Sequence, residues 1–149
     1  MNIVIGIDPG MTGSATILDV NGGVIDVLDF SKMTDTDVFH ALKEWIADNQ
    51  AFAYLERLHS IQPAGKTANF NLGCAYGTLR GFLIALQIAF DEVLPTKWQT
   101  YLGCRTKGDK HITQTKAQAL FPSRKWTLKT ADSVLIAEYG RRMRKYEIC

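Results

Sequence analysis

The stretch NIVIGIDPGMTGSATILDVNGGVIDVLDF, residues 2–30, decides the fold of this chain. In residues 2–8 every second side chain is an isoleucine and the others, ending in Asp8, face the opposite way, which predicts a β-strand. The Pro-Gly pair that follows ends this strand. Residues 14–20 and 24–30 are also strand-like, and the Asn-Gly-Gly sequence between them predicts a hairpin turn. The chain therefore opens with three predicted antiparallel strands.

Helices and strands alternate in the rest of the chain. Thr34 or Asp35 can cap a helix with an apolar stripe, and a short apolar strand follows it at residues 51–55. Because a strand, a helix and another strand form a crossover unit, we expect this strand to lie parallel to the first. The predicted helices cover residues 36–48, 68–88, 96–102, 110–120 and 131–145, and the fifth strand covers residues 90–94. This order predicts an α/β protein with a five-stranded mixed sheet, flanked by helices, of the ribonuclease H-like type.

The composition limits the class of protein. The length of 149 residues suits a single domain over residues 1–149, and the 46% hydrophobic and 21% charged content is typical of a soluble globular protein. No apolar run approaches the ~18 residues of a membrane span, and the opening lacks the basic leader of a signal peptide. The three cysteines are widely spaced, which predicts neither a disulfide framework nor a zinc site. A cytoplasmic protein is expected.

The charges are distributed unevenly along the chain. Residues 1–94 carry 5 Lys/Arg and 11 Asp/Glu, a net charge of −6, whereas residues 95–149 carry 12 and 4, a net charge of +8. The basic third is a candidate nucleic-acid surface, although a solvated face that favours the negative end of the last helix is an equal alternative. The candidate DNA contacts in this third are Lys97, Arg105, Lys107, Lys110 and Lys116.

Three carboxylates are placed where a ligand would bind. Asp8 ends the first strand, Glu56 ends the fourth, and Asp132 lies at the start of the last helix. Parallel neighbouring strands end at the same edge of a sheet, and this edge is where such sheets bind ligands. Clustered carboxylates repel each other unless a cation such as Mg²⁺ joins them, and a pair of ions ~3.5–4 Å apart stabilises displacement at phosphorus. Taken singly, these carboxylates are more typical of a turn, a solvated strand end and a helix cap respectively, but their joint placement in this strand order favours a site.

Several segments resemble one family of nucleases. IGIDPGMTGSA, at Ile5–Ala15, resembles the opening of RuvC-type Holliday junction resolvases. AYLERLHS, at Ala53–Ser60, and ADSVLIAEY, at Ala131–Tyr139, resemble the family's fourth strand and last acidic helix. NFNLGCAYGTLRGFL and LPTKWQTYLG match the bacteriophage branch in pattern. The resemblance spans nearly the whole chain.

The resemblance implies a ribonuclease H-like homodimer that nicks four-way DNA junctions symmetrically with Mg²⁺, for which Mn²⁺ is an expected substitute. By matching position it implies that Asp8, Glu56 and Asp132 are catalytic metal ligands. It also implies that Lys110 lies near the scissile phosphate, with Lys107 as a neighbouring candidate.

Two positions carry a residue that differs from the one that relatives carry there. His59 lies in the loop where relatives carry an aromatic wedge, so it either stacks on a base or has no role. Lys129 stands where cellular members of the family carry an additional Asp or His, and a charged lysine does not bind Mg²⁺. Lys129 is therefore a candidate phosphate contact or a solvated lysine. The second ion would then be held by the three carboxylates and water, or be bound weakly.

The long helix at residues 68–88 carries a second hypothesis. Its glycines Gly73, Gly77 and Gly81 permit close packing, either on the protein's own sheet or on a second copy of the chain. Phe70 and Tyr76, on or near the same helix, are expected in the core.

Three other functions compete with a resolvase. They are a ribosomal-RNA-processing nuclease of the same fold, a junction-binding protein without catalysis, and a sugar-kinase-like or actin-like ATPase. The last would need two phosphate-binding lobes, and this chain supplies one.

Overall fold

The computed structural model describes residues 2–58 and 65–147. Within these residues, five strands form one mixed sheet in the order β3-β2-β1-β4-β5. The strands are β1 (Asn2–Asp8), β2 (Ser14–Asp19), β3 (Val24–Asp29), β4 (Gln50–Glu56) and β5 (Ala89–Val93). The helices are α1 (Asp35–Ile46), α2 (Lys66–Ala85), α3 (Pro95–Leu102), α4 (His111–Leu120) and α5 (Ala131–Glu147), with a short 3₁₀ turn at Phe30–Lys32.

The pairing of the strands confirms the predicted fold class. β1, β2 and β3 pair in antiparallel fashion, whereas β1 pairs with β4 and β4 with β5 in parallel. The predicted elements exist, and their ends differ from the observed ones by no more than three residues. Fraying at helix ends and short turns explain shifts of this size.

Local sequence explains two of the chain reversals. At the β2–β3 turn, the Asp19 carboxylate accepts hydrogen bonds from the backbone N–H groups of Asn21 (2.7 Å) and Gly23 (2.9 Å). Gly22 has a φ of 91°, which favours glycine. Before α1, Thr34 and Asp37 form a reciprocal capping box, so the helix starts one residue before the predicted position.

The core lies on both faces of the sheet. The isoleucines of β1 pack with α1 and α2 on one face, and Val4 packs with α3, α4 and α5 on the other. The predicted division of β1 into two faces is therefore confirmed. α5 lies very close to the sheet, because a side chain at Gly6 would collide with the α5 backbone at Ser133 and Ala137.

The outward face of α2 corrects two sequence-based expectations. Among the described residues, a Cβ atom at Gly73, Gly77 or Gly81 would meet no atom within 4 Å, so these glycines do not pack on the sheet of their own chain. Phe70, expected in the core, is 70% exposed. It lies nine residues from the buried Leu79, and at about 100° per residue this places it on the opposite side of the helix.

Tyr76 fits the core expectation only in part, because its half-buried ring packs at the margin of the core. Across the described residues, no helix is both long enough and apolar enough to cross a bilayer.

Candidate active site

Two carboxylates meet at one edge of the sheet. Ile7 of β1 is in register with Leu55 of β4, so Asp8 and Glu56 follow side by side at the carboxyl ends of parallel strands. Both lie on the α5 face, because side chains alternate along a strand and Tyr54 packs in the core on that face. The sequence-based prediction that these two residues share an edge is confirmed.

Asp132 is the second residue of α5, and it lies beside these two carboxylates. Burial raises the pKa of Asp8 well above its usual value, and the negative charges of Glu56 and Asp132 raise it further. The positive charge of Lys110 opposes this shift. The structure therefore brings together four residues that the sequence singled out: Asp8, Glu56, Asp132 and Lys110.

Glu56 has a specific hydrogen-bond partner. Burial raises its pKa to about 7, and the charge of Asp132 adds to this shift. A hydrogen bond of 2.8 Å from the indole nitrogen of Trp98 to Oε2, together with the charge of Lys110, opposes it. Trp98 is fully buried, so its ring holds this carboxylate in one orientation.

Asp132 also has a hydrogen-bond partner from a neighbouring helix. Burial raises its pKa, whereas a hydrogen bond from the buried Thr113 and the charge of Lys110 lower it. The single hydroxyl hydrogen of Thr113 has two acceptors within reach, the Asp132 carboxylate and the carbonyl oxygen of Lys110 at 3.1 Å, at the start of α4. One turn of α4 therefore supplies both a hydrogen bond and a positive charge to the carboxylate cluster.

Sequence reasoning missed Trp98 and Thr113. A buried indole N–H needs an acceptor, and Trp98 follows β5, whose carboxyl end lies at the same edge as Glu56. That signal was present in the sequence. For Thr113 no comparable signal exists, because its partner comes from a different helix.

The cluster opens into a groove with a volume of about 650 Å³. Asp8 and Lys110 line it together with the turn after β1, the first turns of α2 and Lys129. The Lys129 ammonium donates a hydrogen bond of 3.2 Å to the Ser31 hydroxyl, which directs it towards the end of β3. The Ser31 hydrogen bond and, less strongly, the Lys129 charge lower the pKa of Asp29.

The other candidate DNA contacts are spread more widely. Lys97 and Arg105 line a separate groove of about 560 Å³ beside the exposed ring of Tyr101. Lys107 is exposed in the loop before α4. Lys116 is half-buried on α4, and its charge opposes the rise that burial causes in the pKa of Cys104. His59 lies outside the described residues.

The donor set fits a divalent cation. Within residues 2–58 and 65–147, no group of three or more His, Cys, Asp or Glu side chains is arranged to hold a metal ion. Mg²⁺ does not require one, since it binds through one or two carboxylates, water and substrate phosphate. A bound cation would stabilise the ionised form of half-buried carboxylates whose pKa is raised by burial and by a neighbouring negative charge. Asp8 and Glu56 meet this condition, and Asp132 supplies negative charge to both.

Comparison with known proteins supports the fold. No protein-family model matches this chain, and no curated protein sequence matches it. A structure of Thermus thermophilus RuvC is similar over 97% of this chain and 96% of that chain, with a TM-score of 0.68 and 16% identity. A second structure, T. thermophilus RuvC in complex with Holliday junction substrate, covers 98% of this chain and 97% of that chain, with a TM-score of 0.69 and 14% identity. The chain therefore has the RuvC-like, ribonuclease H-like fold that the sequence predicted.

Proposed function

We propose that this protein is a magnesium-dependent endonuclease that resolves Holliday junctions and other branched DNA by paired symmetric nicks. The observation that carries the proposal is the cluster of Asp8, Glu56 and Asp132 with Lys110, of which Asp8 and Lys110 line one groove. The RuvC-like fold supports it, since the similar T. thermophilus protein has been solved with a Holliday junction substrate. The proposal treats residues 1–149 as one nuclease domain of the phage-type branch.

In this proposal, Asp8, Glu56 and Asp132 hold two Mg²⁺ ions, and Mn²⁺ can replace them. Bound there, the ions would activate water as the nucleophile and stabilise the leaving oxygen of the phosphodiester. Trp98 and Thr113 orient two of the carboxylates through their hydrogen bonds. Lys110 supplies a positive charge to the same cluster, where it would bind the scissile phosphate.

The DNA strand would lie in the groove that contains Asp8. Lys110 and Lys129 both line this groove and can neutralise phosphates on either side of the cleaved bond. The remaining candidates would contact the arms of the junction further out. They are His59, Lys97, Arg105, Lys107 and Lys116.

The proposed active unit is a homodimer. Resolution needs two nicks on opposed strands, and the described part of one chain brings together one carboxylate cluster. A closed pair that uses the same surface on both copies is the commonest oligomer. The outward face of α2 suits this role, because Phe70 and Ile84 are 70% and 62% exposed there beside open glycines. Such an enzyme would act in the cytoplasm, that of the host if a phage encodes it.

Binding and cleavage of matched substrates separate the alternatives. The substrates are a four-way DNA junction, a linear duplex of the same sequence and a structured RNA, each with Mg²⁺, with Mn²⁺ or with EDTA. We expect cleavage of the DNA junction with either metal. Preferential cleavage of the RNA would favour an RNA-processing nuclease, and junction binding without cleavage would favour a non-catalytic binding protein.

A further inference from the structure

A cluster of buried hydroxyl groups joins α5 to β2. The Ser133 hydroxyl lies 2.7 Å from the Ser14 hydroxyl and 2.7 Å from the Thr16 hydroxyl, and it donates to the carbonyl oxygen of Thr130 at 3.0 Å. The side chains of Ser14, Thr16 and Ser133 are all fully buried. Ser133 is the centre of the cluster, because each of the other groups bonds to it.

The cluster lies between two of the carboxylates. Ser14 is directly opposite Asp8 in the β1–β2 register, so the two side chains share a face with Cβ atoms about 4.5–5.5 Å apart. Ser133 follows Asp132 in the first turn of α5. The Ser14–Ser133 hydrogen bond therefore connects the strand position beside Asp8 with the helix position beside Asp132.

Packing alone does not require these hydroxyl groups. Replacing both partners of a buried hydrogen bond by apolar groups of similar shape is often nearly neutral for stability. Apolar contacts have no direction, however, so they allow a helix to shift along a sheet more easily than hydrogen bonds do. At Gly6 the α5 backbone already lies against β1, which fixes the distance of the helix but not its position along the strand.

We propose that Ser133 is a positioning residue for the metal site, and that its hydrogen bonds to Ser14 and Thr16 set Asp132 in place relative to Asp8. The inference rests on the proposed function, since it assumes that these carboxylates bind a divalent cation. Ser133 acts through Asp132 and does not itself contact metal or DNA.

The test measures Mn²⁺ binding to the DNA-free protein by electron paramagnetic resonance, with thermal unfolding of each variant measured in parallel. Ser133→Ala removes the centre of the cluster and should weaken Mn²⁺ binding about tenfold, the size typical of a lost partner of a metal ligand. The Mg²⁺ concentration for half-maximal junction cleavage should rise by a similar factor, and saturating Mg²⁺ should restore the rate.

Two further variants keep the inference testable if Ser133→Ala does not fold. Thr16→Val removes one hydroxyl at nearly constant shape and should weaken Mn²⁺ binding, whereas Thr16→Ser keeps the hydroxyl and should retain it. Trp45→Phe is the control, because it breaks the 3.2 Å hydrogen bond to Asp26 on the other face of the sheet. This control should lower the unfolding temperature without changing Mn²⁺ affinity.

Two results would overturn the inference in distinguishable ways. In the first case, the native protein binds Mn²⁺, and the Ser133→Ala and Thr16→Val variants fold and bind Mn²⁺ equally well. The positioning role of Ser133 is then wrong, and the proposed function is unaffected. If the native protein neither binds Mn²⁺ nor cleaves junctions, the proposed function fails and the inference fails with it.

Discussion

The indole nitrogen of Trp98 donates a hydrogen bond of 2.8 Å to Oε2 of Glu56. This bond favours the ionised carboxylate and so opposes burial, which raises the pKa of Glu56 to about 7. The ionisation of Glu56 near neutral pH therefore depends on a ring that comes from α3.

Replacing Trp98 by Phe should shift the pH dependence of cleavage. Phe cannot donate the hydrogen bond, so the pKa of Glu56 should rise above about 7 and cleavage should begin at higher pH. The measurement is the cleavage rate against pH at Mg²⁺ concentrations below saturation, because saturating Mg²⁺ would itself ionise Glu56. Trp126→Phe is a matched control, since the buried Trp126 bonds to the carbonyl oxygen of Phe121 at 2.9 Å. Equal pH profiles for the two variants would contradict the assigned role of Trp98.

The metal-free protein should become more stable when Glu56 is replaced by Gln. The pKa of Glu56 is about 7 in the folded state against an ordinary value of 4.5, so the folded state holds the proton more tightly. As pH rises from 4.5 to about 7, this group should remove up to about 3 kcal/mol from the unfolding free energy. The amide that replaces the carboxyl group does not titrate, so the variant escapes this loss.

Denaturant unfolding in EDTA at pH 5 and pH 8 measures the difference in unfolding free energy between Glu56→Gln and the native protein. The stabilising effect of the substitution should be larger at pH 8, and added Mg²⁺ should stabilise the native protein more than the variant. An effect independent of pH would show that Glu56 titrates normally.

Junction binding should depend steeply on salt, and two lysines should account for part of that dependence. Each neutralised phosphate contributes about −0.9 to the slope of log K against log salt concentration. The double variant Lys110→Gln/Lys129→Gln, which removes both groove lysines, should make this negative slope shallower by about 2. Lys43→Gln with Lys145→Gln, which are exposed and do not line this groove, serve as the control pair. An unchanged slope in the groove variant would place the DNA on another surface.

A bulky residue on the outward face of α2 should separate the proposed dimer. Gly77 meets no atom within 4 Å, so Gly77→Arg fits the monomer, and it improves helix propensity by up to about 1 kcal/mol. We expect analytical ultracentrifugation to find a monomer of unchanged or higher unfolding temperature. Gly77→Ala should remain a dimer. If the Arg variant dimerises with native affinity, the interface is elsewhere.

The positions of two carboxylates of the candidate site could be predicted because strand geometry is local. Alternation in residues 2–8 sets the face of Asp8, and the crossover rule makes β4 its parallel neighbour, so Glu56 lies at the same edge. Neither step needs knowledge of distant contacts. Asp132 was singled out by its position at the start of the last helix, whereas the placement of Lys110 near the scissile phosphate followed from the family resemblance.

The outward face of α2 could not be predicted from spacing alone. Apolar residues occur on both sides of this helix, with Leu79 and Leu83 inside and Phe70 and Ile84 outside. A glycine repeat indicates a face that permits close approach, but it does not say whether a sheet or another chain approaches. The hydroxyl cluster was equally hidden, because Ser14 and Ser133 are 119 residues apart in the sequence.

The most direct test of the central claim is cleavage of a labelled synthetic four-way DNA junction by the native protein and by Asp8→Asn, with and without Mg²⁺. The account predicts paired symmetric nicks by the native protein only when Mg²⁺ is present. It predicts no nicks by Asp8→Asn, which should still bind the junction at least as tightly, because a negative charge beside the phosphate is removed. Full cleavage by Asp8→Asn in Mg²⁺, or undiminished cleavage by the native protein in EDTA, would contradict the account.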